Sequence, residues 1–257
     1  MKAFDRVLKA REIARPKITD YVEALFTDFF ELRGDGLKKE DKSIYGGIAL
    51  FHGEPVTVIG HRKGKDASEN IDCNFAMPGP EGYRKALRLM RQAEKFKRPV
   101  ITFVDTPGAY PGLEAEMFGQ SQAISESLAV MSRLRTPIVT IVTGEGSSGG
   151  ALAISVADRI FMLENAIYSV LSPEGFASIL WHDSSRKAEA AEVMKLTADD
   201  ILKFGVADGI ISEDSIFANV DKALCEALSV LKKKSTEELV EERYRKYRKF
   251  DERFCGA

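Results

Sequence analysis

The sequence predicts an α/β domain built on a largely parallel sheet. Short, continuously apolar, β-branched runs alternate with longer segments whose apolar residues recur at helical spacing. Two glycine-rich turns each follow directly on one of the apolar runs, where parallel sheets place their chemistry. The 257 residues are 44% hydrophobic and 30% charged, enough for one large core, so a single domain over residues 1–257 is expected.

Asp20 with Glu23 marks a helix start, and a helix is predicted over residues 21–32, about 20–33 in all, stopping near Gly34. Strands over 44–51 and 56–60 flank the turn His52-Gly53-Glu54-Pro55. The polar stretch 61–80 is too long for a simple connection and is read as functional. A helix over 81–96 carries Tyr83, Ala86, Leu87, Met90, Ala93 and Phe96 on one face. The run 100–104 is apolar throughout, as a strand buried on both faces should be. A helix over 120–134 carries Ile124, Leu128, Met131 and Leu134, followed by a strand over 138–143 and a helix over 151–156. Later strands are expected over 160–163, 167–170 and 206–211, with a helix over 188–194 between the last two. Ser235 and Glu238 form a capping box opening a charged helix over 235–254. Acidic residues interrupt its basic ones, which suits packing on the domain or a partner better than a membrane or calmodulin role.

Composition narrows the function classes. The formal net charge of -2, with both signs interspersed, gives no field for DNA or an anionic membrane. No apolar run approaches the roughly 20 residues of a membrane span, and residues 1–15 lack a signal-peptide pattern, so a cytoplasmic location is expected. Cys73, Cys225 and Cys255 lie far apart without a CxxC pair and are read as free thiols, with no metal on this chain. His52, His61 and His182 are equally scattered. His61, beside Arg62 and Lys63 at a strand end, is a candidate to line a site, against a structural role as the plainer reading.

The first turn is Asp105-Thr106-Pro107-Gly108-Ala109-Tyr110-Pro111-Gly112. Two prolines stiffen it and two glycines let its backbone approach a ligand, unless it is only a rigid turn. The second, Gly144-Glu145-Gly146-Ser147-Ser148-Gly149-Gly150, is expected as a loop between strand and helix. The unpaired amides of the helix start suit a developing oxyanion or a phosphate. No Gly-Lys-Ser/Thr follows, against a Walker loop. Residues 146–150 also match the G-x-S-x-G elbow, with Ser148 as the nucleophile of a serine hydrolase. That reading lacks a well-placed downstream histidine, since only His182 follows.

With their flanks, these turns resemble the alpha subunit of the acetyl-CoA carboxylase carboxyltransferase family of the bacterial multi-subunit type. The matching stretches are 41–47 (DKSIYGG), 59–65 (IGHRKGK), 80–90 (PEGYRKALRLM), 101–112 (ITFVDTPGAYPG), 119–124 (GQSQAI), 144–154 (GEGSSGGALAI) and 168–181 (YSVLSPEGFASILW). The resemblance implies a crotonase/ClpP-like spiral of ββα units with flanking helices. It implies transfer of the carboxyl group from carboxybiotin on a biotin carboxyl carrier protein to acetyl-CoA, giving malonyl-CoA in the first committed step of fatty acid synthesis. It implies a zinc-ribbon beta subunit in an alpha2beta2 assembly, and a biotin carboxylase within the same ATP-binding complex. It places the catalytic amides at Gly149 and Gly150. Pro107, Gly108, Ala109, Tyr110, Gly146, Ser148 and Ala151 would bind on the carboxybiotin side, and a side chain added at Gly150 would enter the space of the biotin ring. Ser147 replaces a usual glycine, Ala76 another, the stretch 66–73 is less basic than usual, and 212–219 replaces the family's GGAH segment. A biotin-dependent acyl-CoA decarboxylase and a non-catalytic scaffold stand as alternatives beside the hydrolase. The intact residues 105–112 and the Gly149–Gly150 pair speak against the scaffold.

Overall fold

The computed structural model describes residues 1–37 and 39–254, the side chains of 251–254 excepted. Cys255 therefore lies outside the described residues. Among those residues the apolar runs assemble one eight-stranded sheet. Strands β1 (Thr27–Glu31), β2 (Ile44–Phe51) and β3 (Glu54–His61) form an antiparallel meander. β3 then pairs in parallel with β4 (Val100–Thr106), β4 with β5 (Ile138–Ser147), β5 with β6 (Arg159–Leu163), and β6 with β8 (Gly209–Ile211). The short β7 (Ile167–Ser169) pairs in parallel with the far end of β5. Every residue of β4 and β5 is buried, which is why these strands read as unbroken apolar runs.

Helices close both faces. On one side α4 (Pro80–Lys95) packs on β2 and β3 and against α6 (Gln120–Arg133). On the other, α2 (Ile18–Leu25) packs on β2 and β3 and against α11 (Ile216–Leu231). The core runs between these layers, with Leu89, Met90, Ile101 and Ile141 fully buried. Smaller helices trim the carboxyl ends of the strands: α1 (Ala3–Ala10), α3 (Ala67–Asp72), α5 (Leu113–Met117), α7 (Ser148–Leu152), α8 (Pro173–Trp181), α9 (Lys187–Met194) and α10 (Ala198–Lys203). The capping box at Ser235 is present: Ser235 donates its N–H to Glu238 at 2.7 Å and accepts the Glu238 N–H at 3.2 Å. It opens α12 (Thr236–Phe254), which packs back on this chain through the buried Arg243.

Three expectations are corrected. The helix over 20–33 is a shorter helix, α2, followed by strand β1. Asp20 sits inside the first turn, accepting the Lys17 N–H at 2.8 Å, and does not precede the helix. Phe26 leaves the helix to pack on Phe51 and Phe103, with ring centroids at 5.5 and 6.4 Å. The run Phe26–Phe30 is aromatic enough to prefer an edge strand once β2 offers its hydrogen bonds. Second, residues 144–147 are not a loop: β5 continues through them, with Gly146 paired to Tyr168, and the helix begins at Ser148 rather than Ala151. Small residues let neighbours close over the strand end here. A Cβ on Gly146 would lie 2.6 Å from the Tyr168 ring. Third, the strand expected over 206–211 is reduced to Gly209–Ile211.

Candidate functional site

The carboxyl ends of β4, β5 and β7 frame a cleft of about 490 Å³. Pro107, Gly108 and Ala109 form one wall, and Ser148, Gly149 and Gly150 another. Val170, Leu171 and Ser172, which follow β7, close a third side, with Ile124 from α6. Arg11 and Glu145 supply the charged edge. The two turns singled out in the sequence thus meet. At Gly150 they meet so closely that a Cβ would come within 2.6 Å of the Gly108 carbonyl carbon and inside the radius of the Ala109 nitrogen. Gly108 itself adopts φ 142°, a backbone open to glycine and little else.

Two backbone amides give the cleft its chemistry. Those of Gly149 and Gly150 belong to the first turn of α7, where no preceding helical carbonyl can accept them, and neither makes a hydrogen bond among the described residues. A helix of five residues has little macrodipole, so these are local dipoles. A carbonyl-type oxygen carrying negative charge is the ligand they suit.

Three residues assigned to the site stand apart from this cleft. Tyr110 turns to a neighbouring cavity beside Glu114 and Phe118. Gly146 is buried beneath Tyr168, and Ala151 is fully buried in α7. Ser147 does not reach the cleft either: it is 1% exposed, so its Cβ does not narrow the space available to a ligand.

Charged groups hold the strand ends in place. Asp105, 8% exposed, accepts the Glu145 N–H at 2.9 Å and pairs with the Lys63 ammonium at 2.5 Å. Arg11 donates to Glu145 at 2.6 Å and to Glu174 at 3.1 Å. Burial lowers the Arg11 pKa, but its hydrogen bonds and charge attraction to these carboxylates outweigh that, and the net shift is upward. Arg15 donates to the Thr143 carbonyl at 2.7 Å and pairs with Glu213. The segment after α1 therefore straps the end of β5. Sequence reasoning missed it because charged residues interrupt the apolar ones throughout residues 1–15. The available signal was Ala3, Val7 and Ala10, three buried residues on one helical face.

Ser148 adopts φ 57°, the strained turn that a nucleophile elbow uses. The rest of the relay is not assembled. Neither ring nitrogen of His61 has a hydrogen-bond partner, His52 pairs with Asp221 at 2.8 Å, and no histidine hydrogen-bonds Ser148 among the described residues. Ser148→Ala is accordingly expected to change the rate supported by this cleft by less than about threefold, under roughly 0.7 kcal/mol. A fluorophosphonate should leave the native chain unlabelled; stoichiometric labelling abolished by Ser148→Ala would restore the hydrolase reading.

Residues 1–251 match the family described as acetyl co-enzyme A carboxylase carboxyltransferase-like. The chain belongs to that family. It is 54% identical over 257 residues to the acetyl-coenzyme A carboxylase carboxyl transferase subunit alpha of Bacillus subtilis (strain 168), covering 96% of this chain and 79% of that one. It is 52% identical over 258 residues to the protein of the same name from Listeria monocytogenes serotype 4b (strain CLIP80459), covering 97% and 81%. The crotonase-like α/β architecture expected from the resemblance is borne out. The fold matches that of transcarboxylase 12S with a TM-score of 0.73 at 18% identity, over 88% of this chain and 44% of that chain. A Pseudomonas malonate decarboxylase hetero-tetramer gives a TM-score of 0.65 at 20% identity, over 78% and 83%. Apolar groups remain exposed on α5 and α8. Leu113 and Met117 of α5 are 77% and 72% exposed, and Ile179 of α8 is 66% exposed. No helix among the described residues is long and apolar enough to cross a membrane.

Proposed function

We propose that this chain is the carboxybiotin-binding half of an acetyl-CoA carboxylase carboxyltransferase, acting with a zinc-ribbon beta subunit to make malonyl-CoA. The observation that carries the reading is the pair of unpartnered amides at Gly149 and Gly150 in the cleft formed with Pro107–Ala109. A ureido oxygen fits that donor pair, and the glycine wall leaves room for a flat bicyclic ring. Carboxybiotin supplies CO2 when its N–C bond breaks, leaving the electron pair on the ureido nitrogen and oxygen. The amides of Gly149 and Gly150 stabilise that charge where it develops, the arrangement worth most in a water-poor site. Asp105 holds β4 and β5 together so that the two walls keep their spacing. The proton lost by the acetyl methyl goes to the biotin ring, and the new C–C bond forms at the enolate carbon, whose oxygen the beta subunit holds. The exposed apolar side chains of α5 and α8 support a partner at the cleft mouth. A cytoplasmic setting, with the biotin carboxyl carrier protein and biotin carboxylase, completes this reading.

The test is complementation. The purified chain alone should fold yet neither carboxylate acetyl-CoA nor decarboxylate malonyl-CoA with biocytin, and should gain both on mixing with the beta subunit. Robust decarboxylation by the isolated chain would overturn the half-site assignment. A complex that decarboxylates but never carboxylates, even with carboxybiotin in excess, would favour the biotin-dependent decarboxylase.

A further inference from the structure

Three metal-ligating side chains converge at the amino end of β3. That strand runs parallel to β4, so this end lies opposite the cleft. His52 sits at the tip of the β2–β3 hairpin, and Asp221 and Cys225 lie one turn apart on the same face of α11. The imidazole Nε2 is 2.8 Å from one Asp221 oxygen, and the Cys225 sulfur is 3.8 Å from the other. All three donor atoms lie within 4.8 Å of one another, and no other three such side chains do so among the described residues. A tetrahedral zinc ion, with bonds of about 2.0–2.3 Å, needs ligand atoms about 3.3–3.8 Å apart, so each has to move by no more than about 1 Å. The elements that carry them are already fixed to each other. Lys232, at the carboxyl end of α11 and about two turns beyond Cys225, pairs with Glu54, the first residue of β3, at 2.6 Å. The hairpin turn is only His52 and Gly53, with φ of 48° and 80°. Asparagine is the residue such a turn favours at its first position, so the local backbone does not call for a histidine there.

We propose that His52, Asp221 and Cys225 bind a zinc ion that ties the β2–β3 turn to α11. The donor set selects the metal. Thiolate, imidazole and carboxylate together suit zinc, whereas magnesium and calcium take oxygen ligands. His52 and Cys225 are exposed, so the ion reaches them from solution. On binding, the Cys225 thiol gives its proton to water, and the thiolate bonds the metal. His52 keeps its proton on Nδ1 and offers the Nε2 lone pair, and Asp221 turns one oxygen from the imidazole to the ion. One thiolate and one carboxylate neutralise the divalent charge, and a water completes the fourth position. His52 and Asp221 are 169 positions apart, so no spacing in the sequence announces the site. Zinc here acts on the stability of the chain, away from Gly149 and Gly150, and the site stands independently of the carboxyltransferase reading.

The test is metal binding by the 257-residue chain after chelation and dialysis. Titration with Zn2+ against a chromophoric chelator reads stoichiometry and affinity, and Co2+ in its place reports the ligands by its absorption. One equivalent is expected, with a thiolate-to-cobalt charge-transfer band. His52→Asn, Asp221→Asn and Cys225→Ala should each weaken zinc binding by at least about 100-fold, beyond the roughly 10–100-fold typical of groups that only support a ligand. Free zinc at about a hundredfold above Kd should raise the wild-type melting temperature by about 5–10 °C and leave the variants within about 1 °C of their metal-free values. His52→Asn carries the most weight. Its turn accepts asparagine, so the metal-free variant should melt within about 2 °C of metal-free wild type and still lose the zinc shift. Zinc affinity unchanged within about threefold in His52→Asn or Cys225→Ala overturns the proposal. So does a cobalt band that survives Cys225→Ala, which would move the thiolate to Cys73 or Cys255. A wild-type chain that binds no zinc at about 100 μM free metal also overturns it.

Discussion

Replacing Gly149 by valine is expected to reduce carboxyl transfer in the assembled complex by at least about 100-fold while leaving its melting temperature within a few degrees of wild type. A Cβ on Gly149 finds only Ile124, 3.6 Å away, an ordinary van der Waals distance to another residue lining the cleft. The new side chain therefore fills ligand space without displacing protein. It also obstructs the approach to the neighbouring amide, and losing one oxyanion donor alone typically costs about 10²–10³ in rate. The neighbouring substitution behaves differently. At Gly150 a Cβ meets the backbone of Gly108 and Ala109 rather than the open cleft, contrary to the expectation from sequence. Gly150→Val must push the 107–112 turn away, so rate and melting temperature should fall together. The pair is informative because only Gly149→Val isolates the cleft. A well-folded Gly149→Val complex with the wild-type rate would remove the amides from the mechanism; the same complex with a lost rate and intact melting would place them in it.

What the sequence conveyed and what it withheld follow from how local each signal is. The strands were legible over 100–104 and 138–143 because burial on both faces leaves an unbroken apolar run, and α4 because Tyr83, Ala86, Leu87, Met90 and Ala93 share one buried face. Pro107–Ala109 and Ser148–Gly150, read as facing a ligand from their glycines and their place after strands, do line one cleft. The continuation of β5 through Gly144–Ser147 was hidden, because glycines read as a break. They are there so that Asp105 and Tyr168 can pack against the strand. The left-handed run at Asn74, Phe75 and Ala76, with φ of 47°, 54° and 58°, shows why a glycine is usual at position 76, yet nothing in the local sequence announces it. Arg11, Glu174 and the strap formed by residues 11–17 depend on pairings across more than a hundred residues. No local pattern encodes those.

The largest effect on stability is expected at Arg243, where replacement by leucine should cost about 3–5 kcal/mol. The guanidinium is fully buried and pairs with Asp158, itself 4% exposed at the side chain, with Nε and Nη2 at 2.8 and 2.9 Å from its two carboxylate oxygens. It also donates to the carbonyls of Met131, Leu134 and Thr136 at 2.8, 2.8 and 3.1 Å. One side chain of α12 thus satisfies the end of α6 and the turn that leads into β5. Leucine fills part of the volume but strands a buried carboxylate and leaves three carbonyls without this donor, and uncompensated buried charge is the costly part. Among the described residues Asp158 then keeps only the Ile138 N–H, at 2.7 Å. Urea unfolding of the chain measures the loss, and a drop below about 1 kcal/mol would show that α12 is peripheral to the fold. Adding Asp158→Asn to Arg243→Leu should recover part of the loss, since the stranded charge is then gone; strict additivity of the two would contradict the pairing. The rate per folded complex should stay within about twofold. Asp158 anchors the amino end of β5, a ten-residue strand whose far end, about 30 Å away, bears the cleft.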